Sequence, residues 1–243
     1  ASGNWVKDTL YTGSSIAAGK YGDVTVTAQW TPIKYTITYV YNNGSANTTA
    51  SYTIEQAITL PSPSKTGYTF AGWKVTTAGG NWSTSDSLYK GTVAAGKYGN
   101  VTLTAQWTAI SYTITFEPNS GTVNPTSKTF TIESTITLPT PTRTGYVFDG
   151  WLVTKAEGNW TNGTLYTDSS IAAGKYGNVT VTAQWHRTVL VHFYSGSKGA
   201  VHNQFSVTFK NNETTGTVTA LNSFGAISGW TALGWITSDD AAK

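Results

Sequence analysis

Cysteine and methionine are both absent from the 243 residues. Without thiols the chain forms no disulfide, offers no cysteine nucleophile and carries no thiolate metal ligand, and it is indifferent to the redox state of its surroundings. The missing methionine is expected to mean that the start residue is gone, through processing or excision. Charge is sparse as well: Asp, Glu, Lys and Arg make up 11% of the chain, for a net charge of +3. The basic residues occur singly rather than in runs or stripes, which argues against nucleic acid as a partner. No apolar stretch approaches the ~18 residues of a membrane-spanning helix, and no signal-peptide pattern appears in this numbering. The three histidines, His186, His192 and His202, come without cysteine or a carboxylate cluster, so they read as surface or strand-edge residues rather than zinc ligands.

Catalytic patterns are equally scarce. There is no Asp-x-Asp-x-Asp-Gly calcium loop, no phosphate-cradling glycine loop and no Gly-x-Ser-x-Gly nucleophile turn. A paired-carboxylate glycosidase needs two acids about 5–10 Å apart in one cleft. The spacing of the 12 acidic residues points to no such pair, and Glu55 and Glu133 stand at equivalent repeat positions, as solvent-facing or capping groups would. The chain is therefore expected to be non-enzymatic, with no cofactor and no metal.

Aromatic and apolar residues, by contrast, are plentiful: 13% and 39% of the chain, with 10 Trp and 14 Tyr, enough to bury real cores. They are distributed by repetition. Gly-Asn-Trp occurs at 3–5, 80–82 and 158–160; Ala-Ala-Gly-Lys-Tyr-Gly at 17–22, 94–99 and 172–177; Thr-Ala-Gln-Trp at 27–30, 104–107 and 182–185. The period of 77 and then 78 residues is that of a whole small domain rather than a solenoid coil. Complete modules span 34–110 and 111–188. Residues 1–33 correspond to the back half of a module and 189–243 to the front half of a divergent one.

Each module reads as strands. Tyr35, Ile37, Tyr39 and Tyr41 alternate with threonine, as do Val101, Leu103, Ala105 and Trp107. Further strands are expected near Ser51–Leu60, ended by Pro61 and Pro63, and at Gly67–Trp73. The second module repeats them at Tyr112–Phe116, Thr131–Leu138, Gly145–Trp151 and Val179–Trp185. The sheet is expected to be mainly antiparallel, with one threonine-rich polar face. Asn81–Asn100 is too rich in glycine for a long helix, and one helical turn or a structured loop is expected there.

Leu60-Pro61 and Leu138-Pro139, followed by Gly67-Tyr-Thr-Phe-Ala-Gly-Trp73 and Gly145-Tyr-Val-Phe-Asp-Gly-Trp151 and then a closing Thr-Ala-Gln-Trp, resemble the Listeria–Bacteroides repeat family, the B-repeat type of internalin-like surface proteins. The resemblance covers 34–188 and, by repetition, 3–33. It implies α+β, β-grasp-like modules with short helical segments, arranged in tandem as stalks or adhesins on a cell surface, and it supplies no catalytic residue.

The ends match in register, since Lys243 followed by Ala1-Ser2-Gly3-Asn4-Trp5 parallels Lys155–Trp160. Three origins are open: a piece of a longer array, a subunit whose half-module completes its neighbour's in a head-to-tail filament, or an engineered fragment. In the filament, Val24, Val26 and Trp30 of one copy would meet Trp230 and Trp235 of another by strand addition. The alternative function is an adhesin that binds surface glycans or host proteins through its Gly-Asn-Trp loops, with Trp5, Trp82 and Trp160 as stacking platforms; a packing role for these indoles competes with that. Asn43, Asn47, Asn81, Asn100, Asn159, Asn162, Asn178 and Asn212 lie in glycosylation sequons, which matter only in a secreted chain. An extracellular, cell-surface location is expected.

Overall fold

A computed structural model describes residues 3–194 and 201–213, with the backbone alone at 191–194 and 201–205. Its described residues fall into two compact units. One holds residues up to Pro63 together with Ala71–Gln106; the other holds Ser64–Phe70 and residues from Trp107 onward.

The first unit holds β1 (Tyr35–Val40), β2 (Thr48–Tyr52), β3 (Ile58–Thr59), most of β4 (Tyr68–Ala78), β5 (Thr92–Val93) and most of β6 (Val101–Ala109). The sheet order is β2-β1-β6-β4, with β3 and β5 forming a separate two-stranded ribbon. Alternation places Ile37 and Tyr39 of β1 and Val101, Leu103 and Ala105 of β6 in the core, while the threonines between them face outward. Trp73 closes the core: it is fully buried, packs on Tyr39 at 5.1 Å, and its indole N–H donates to Pro61 O at 2.8 Å. A buried indole keeps its N–H satisfied in this way.

The second unit uses β7 (Tyr112–Glu117), β8 (Ser127–Phe130), β9 (Ile136–Thr137), β10 (Val147–Ala156), β11 (Leu165–Tyr166), β12 (Ser170–Ile171), β13 (Val179–Tyr194) and β14 (Val201–Lys210). The order β11-β10-β13-β7-β8 repeats the first sheet, and β14 pairs with the far end of β13. Its core joins Ile114, Phe116, Val153, Val181 and Trp185 around Trp151, whose N–H donates to Pro139 O at 2.9 Å. On the wet face, hydroxyls pair across strands, Thr76 with Thr104 at 2.8 Å and Thr154 with Thr182 at 3.0 Å.

The mainly-β, mainly antiparallel expectation holds, and three details are added or corrected. First, one pair at the centre of each sheet, β1–β6 and β7–β13, is parallel, flanked by antiparallel neighbours. Second, the strands expected near Ser51–Leu60 and at Thr131–Leu138 are largely turn: β2 ends at Tyr52 and β8 at Phe130, and after the turns at Thr53–Gln56 and Thr131–Ser134 only the two-residue β3 and β9 follow. Third, the short helical segments are not seen among the described residues: Asn81–Asn100 consists of turns around β5. Three glycines there, at 91, 96 and 99, have positive φ, which breaks any helical run. Among the described residues no helix is long and apolar enough to cross a membrane. Val189–Tyr194 continues β13 without a break.

Trp151→Ala should cost about 3–5 kcal/mol in urea denaturation, as removal of a buried large aromatic does. Thr154→Ala, on the opposite face of the same strand, should cost under about 1 kcal/mol.

Candidate functional site: the loop clamp and the exposed face of residues 3–33

The Gly-Asn-Trp and Gly-Lys-Tyr-Gly motifs repeat because they hold each other. Asn81 donates its side-chain N–H to Gly96 O at 2.9 Å and accepts from the Tyr98 N–H at 3.0 Å, while Lys97 Nζ donates to Asn81 O at 3.0 Å. Asn159 makes the same three bonds with Gly174, Tyr176 and Lys175, and Asn4 makes them with Gly19, Tyr21 and Lys20. The backbones approach so closely that a Cβ on Gly80 or Gly158 would lie 2.0 or 2.1 Å from the Tyr98 or Tyr176 carbonyl oxygen, which requires glycine.

The clamp turns its tryptophan inward. Trp82 packs edge-on against Tyr52 and Tyr89, and Trp160 against Phe130 and Tyr166; both indoles are buried. Lys97 and Lys175 cover them at 4.9 and 5.1 Å from the ring centroids. Trp82 and Trp160 are thus packed within the loop, where burying the indole closes the core. Trp5 is half-buried, with its N–H donated to Gly22 O at 2.8 Å.

Tyr89 donates to Asp86 at 2.6 Å, and Lys97 lies 3.7 Å from the same carboxylate. Burial, then this bond and the adjacent negative charge, push the Tyr89 hydroxyl up to about 12. Receiving the bond holds Asp86 below its ordinary value. No charged or polar side chain is fully buried, and no metal-ligating cluster occurs, among the described residues. His186 pairs with Asp149, a pairing without counterpart in the first unit, where Thr108 and Ala71 stand at those positions.

The sequon asparagines divide by structure. Asn81 and Asn159 use both ends of their amides in the clamp. Asn100 and Asn178 accept the N–H of Thr36 and Thr113 at 2.8 and 3.0 Å, Asn43 accepts that of Ser45, and Asn212 accepts from Arg143. Asn47, directly before β2, and Asn162, on a turn, are exposed.

Residues 3–33 carry the sharpest contrast. They hold the clamp but no strand. Val26 and Trp30 are 66% and 89% exposed, whereas their equivalents Val181 and Trp185 are 0% and 1% exposed. Ile16 and Val24 are exposed too, against buried Ile171 and Val179. Trp230 and Trp235 lie outside the described residues.

The Listeria-Bacteroides repeat domain matches this chain twice, at residues 35–106 and 112–184. Internalin H of Listeria monocytogenes is 31% identical over 159 residues, covering 63% of this chain and 26% of the relative. The chain thus spans about a quarter of the length of that curated relative. Both matched segments contain a full clamp.

The two copies differ in one instructive bond. The Tyr52 hydroxyl bridges Trp82 Nε1 at 2.7 Å and Gly99 O at 2.5 Å, whereas the second copy has Phe130 there and Trp160 Nε1 reaches Gly177 O directly at 3.0 Å. Tyr52→Phe should accordingly cost less than about 1 kcal/mol, because the freed donor and acceptor pair with each other. Trp82→Ala should cost about 3–5 kcal/mol in the same denaturation assay.

Because the Tyr89 pKa is raised on folding, its contribution is complete below the ordinary tyrosine value of 10.0 and is lost as pH climbs towards about 12. Melting temperature should fall across that window, and Tyr89→Phe should flatten part of the fall.

Proposed function

The chain belongs to the Listeria-Bacteroides repeat domain family, and from that premise we propose that it is an extracellular structural protein of the internalin-like surface type, acting as a stalk or head-to-tail filament. In this reading a front half-module, carrying the residues of 189–243, completes the back half at 3–33 of another copy. The observation that carries the proposal is the exposure of Val26 and Trp30. Their equivalents Val181 and Trp185 are core residues in the second unit, where a first strand lies beside them, as Leu103, the other equivalent of Val26, is beside β1. Burying a large apolar side chain contributes about 1.5–3 kcal/mol, so several together give a substantial drive towards a complementing partner. Strand addition would also satisfy the open backbone groups of Val24–Trp30.

The modules themselves suit a mechanical role. Their cores rest on aromatic packing and on hydrogen bonds internal to each loop, and with no cysteine in the chain no disulfide contributes. The exposed Asn47 and Asn162 are the sequon positions open to a glycan if the chain meets the machinery. An adhesin function would use some other surface than the Gly-Asn-Trp indoles, because these are packed inside the loop.

Concentrated protein should form fibres by electron microscopy and heavy species by sedimentation, whereas Val26→Asp should stay monomeric with the melting of the intact modules unchanged. A wild-type chain that remains monodisperse at high concentration would sink the filament reading.

A further inference from the structure

We infer that an open groove lined by Trp30, Ile33, Tyr35, Ile54 and Glu55 in the first unit is the seat for the Gly229-Trp230 stretch of a second copy of this chain. The inference rests on the filament reading and names the contact by which one copy would engage the next. The groove encloses about 250 Å³. Thr31 and Pro32 complete its lining, Glu55 is its one charged residue, and Ile33 and Ile54 are exposed.

The second unit holds the same five residue types at the equivalent places: Trp107, Ile110, Tyr112, Ile132 and Glu133. There the site is filled, by the turn Lys65–Tyr68 that belongs to that unit. The Ile110 N–H donates to Gly67 O at 2.9 Å, and the Tyr68 hydroxyl donates to Glu133 Oε1 at 2.7 Å. The Lys65 ammonium lies 4.1 Å over the Tyr68 ring and 6.0 Å over Trp107. A Cβ on Gly67 would come within 2.8 Å of Ile132 Cδ1, and Gly67 has φ +78°, so the turn fits over that isoleucine only as glycine. The filled site therefore specifies its occupant: a glycine to cover the isoleucine, then an aromatic residue with a donor for the glutamate.

Three stretches of the sequence have that form, Gly67-Tyr68, Gly145-Tyr146 and Gly229-Trp230, each with Gly-Trp following at the same interval. The first two turns are already placed in the second unit, leading into β4 and β10. In the second of these, Tyr146 stacks under Arg143 at 3.7 Å. Gly229-Trp230 is the remaining stretch, and an indole N–H can serve Glu55 as the phenol of Tyr68 serves Glu133. Ile227, in place of Lys65 and Arg143, adds apolar area rather than a cation over the ring.

The absence of native cysteine makes the contact directly testable. Full-length Glu55→Cys and Trp230→Cys chains, prepared separately, mixed and oxidised with copper phenanthroline, should shift most of the monomer to the mass of a disulfide-linked dimer on a non-reducing gel. Neither chain alone should do so to that extent. Ser228→Cys in place of Trp230→Cys provides a second pair that leaves the indole intact. Fibres by electron microscopy with no link from either pair would overturn this seat while leaving end-to-end assembly standing. No fibres and no link would overturn both. A link confined to a double variant within one chain would assign the groove to the chain's own stretch and overturn docking between copies.

Discussion

The parallel ladder between the first and last strands of a module is the interaction on which the rest of each sheet depends. It joins Ile37 to Val101 and Ile114 to Val179, residues more than sixty positions apart. The chain contains its own control for this dependence. Val-Thr-Val-Thr-Ala-Gln-Trp occurs at both 24–30 and 179–185, identical at every position. The second copy is a central strand with its valines and tryptophan buried; the first, with no neighbouring first strand among the described residues, is not a strand at all. Threonine and valine favour the extended state, but β propensity mostly measures fit against neighbours. Here the neighbour decides.

The loop clamp behaves in the opposite way. Asn4 makes the same bonds to Gly19, Tyr21 and Lys20 that its equivalents make in the complete modules, although no sheet lies beneath it. Its partners are only 15–17 residues apart, so closing the loop is inexpensive. The clamp is thus a local device, and it takes the place of the helix a small β-rich domain would otherwise lay across its sheet. An asparagine with both amide ends used, a glycine under a carbonyl and an indole facing inward supply the second layer of the core.

This division explains what could be read from the sequence. The strands with clean alternation, β1, β6 and β7, were legible because burial on one face imposes period 2. The repeat motifs were legible as motifs, and the resemblance they carry agrees with the family match. The parallel sense of the central pair was not, because nothing local marks the direction of a partner. Nor was the burial of Trp82 and Trp160 settled: a loop tryptophan looks the same in sequence whether it anchors or binds. The deciding signal was the neighbouring Asn and Lys repeated at fixed offsets, which makes sense only if the two motifs touch. The split of the expected second strand was hidden for a similar reason, since the turns at Thr53–Gln56 and Thr131–Ser134 are closed by ordinary polar side chains.

The contrast between a local clamp and a non-local ladder bears on how such modules could join. A half-module that keeps its clamp presents its last-strand sequence and its indole in the right order but unpaired, so a completing partner has little to organise beyond one strand. The entropy of ordering a long segment, which weakens most coupled folding and binding, is correspondingly reduced. On the proposed seat, the five side chains of the open groove are the same in type as those of the filled one. A Gly-aromatic turn suited to one is therefore suited to the other, and the contact joins two different surfaces rather than one surface to itself. Such a heterologous contact leaves a free surface of each kind after every addition. Unless the rotation between copies happens to close, it continues, and the sequence repetition that builds a module within the chain becomes the rule that adds the next chain.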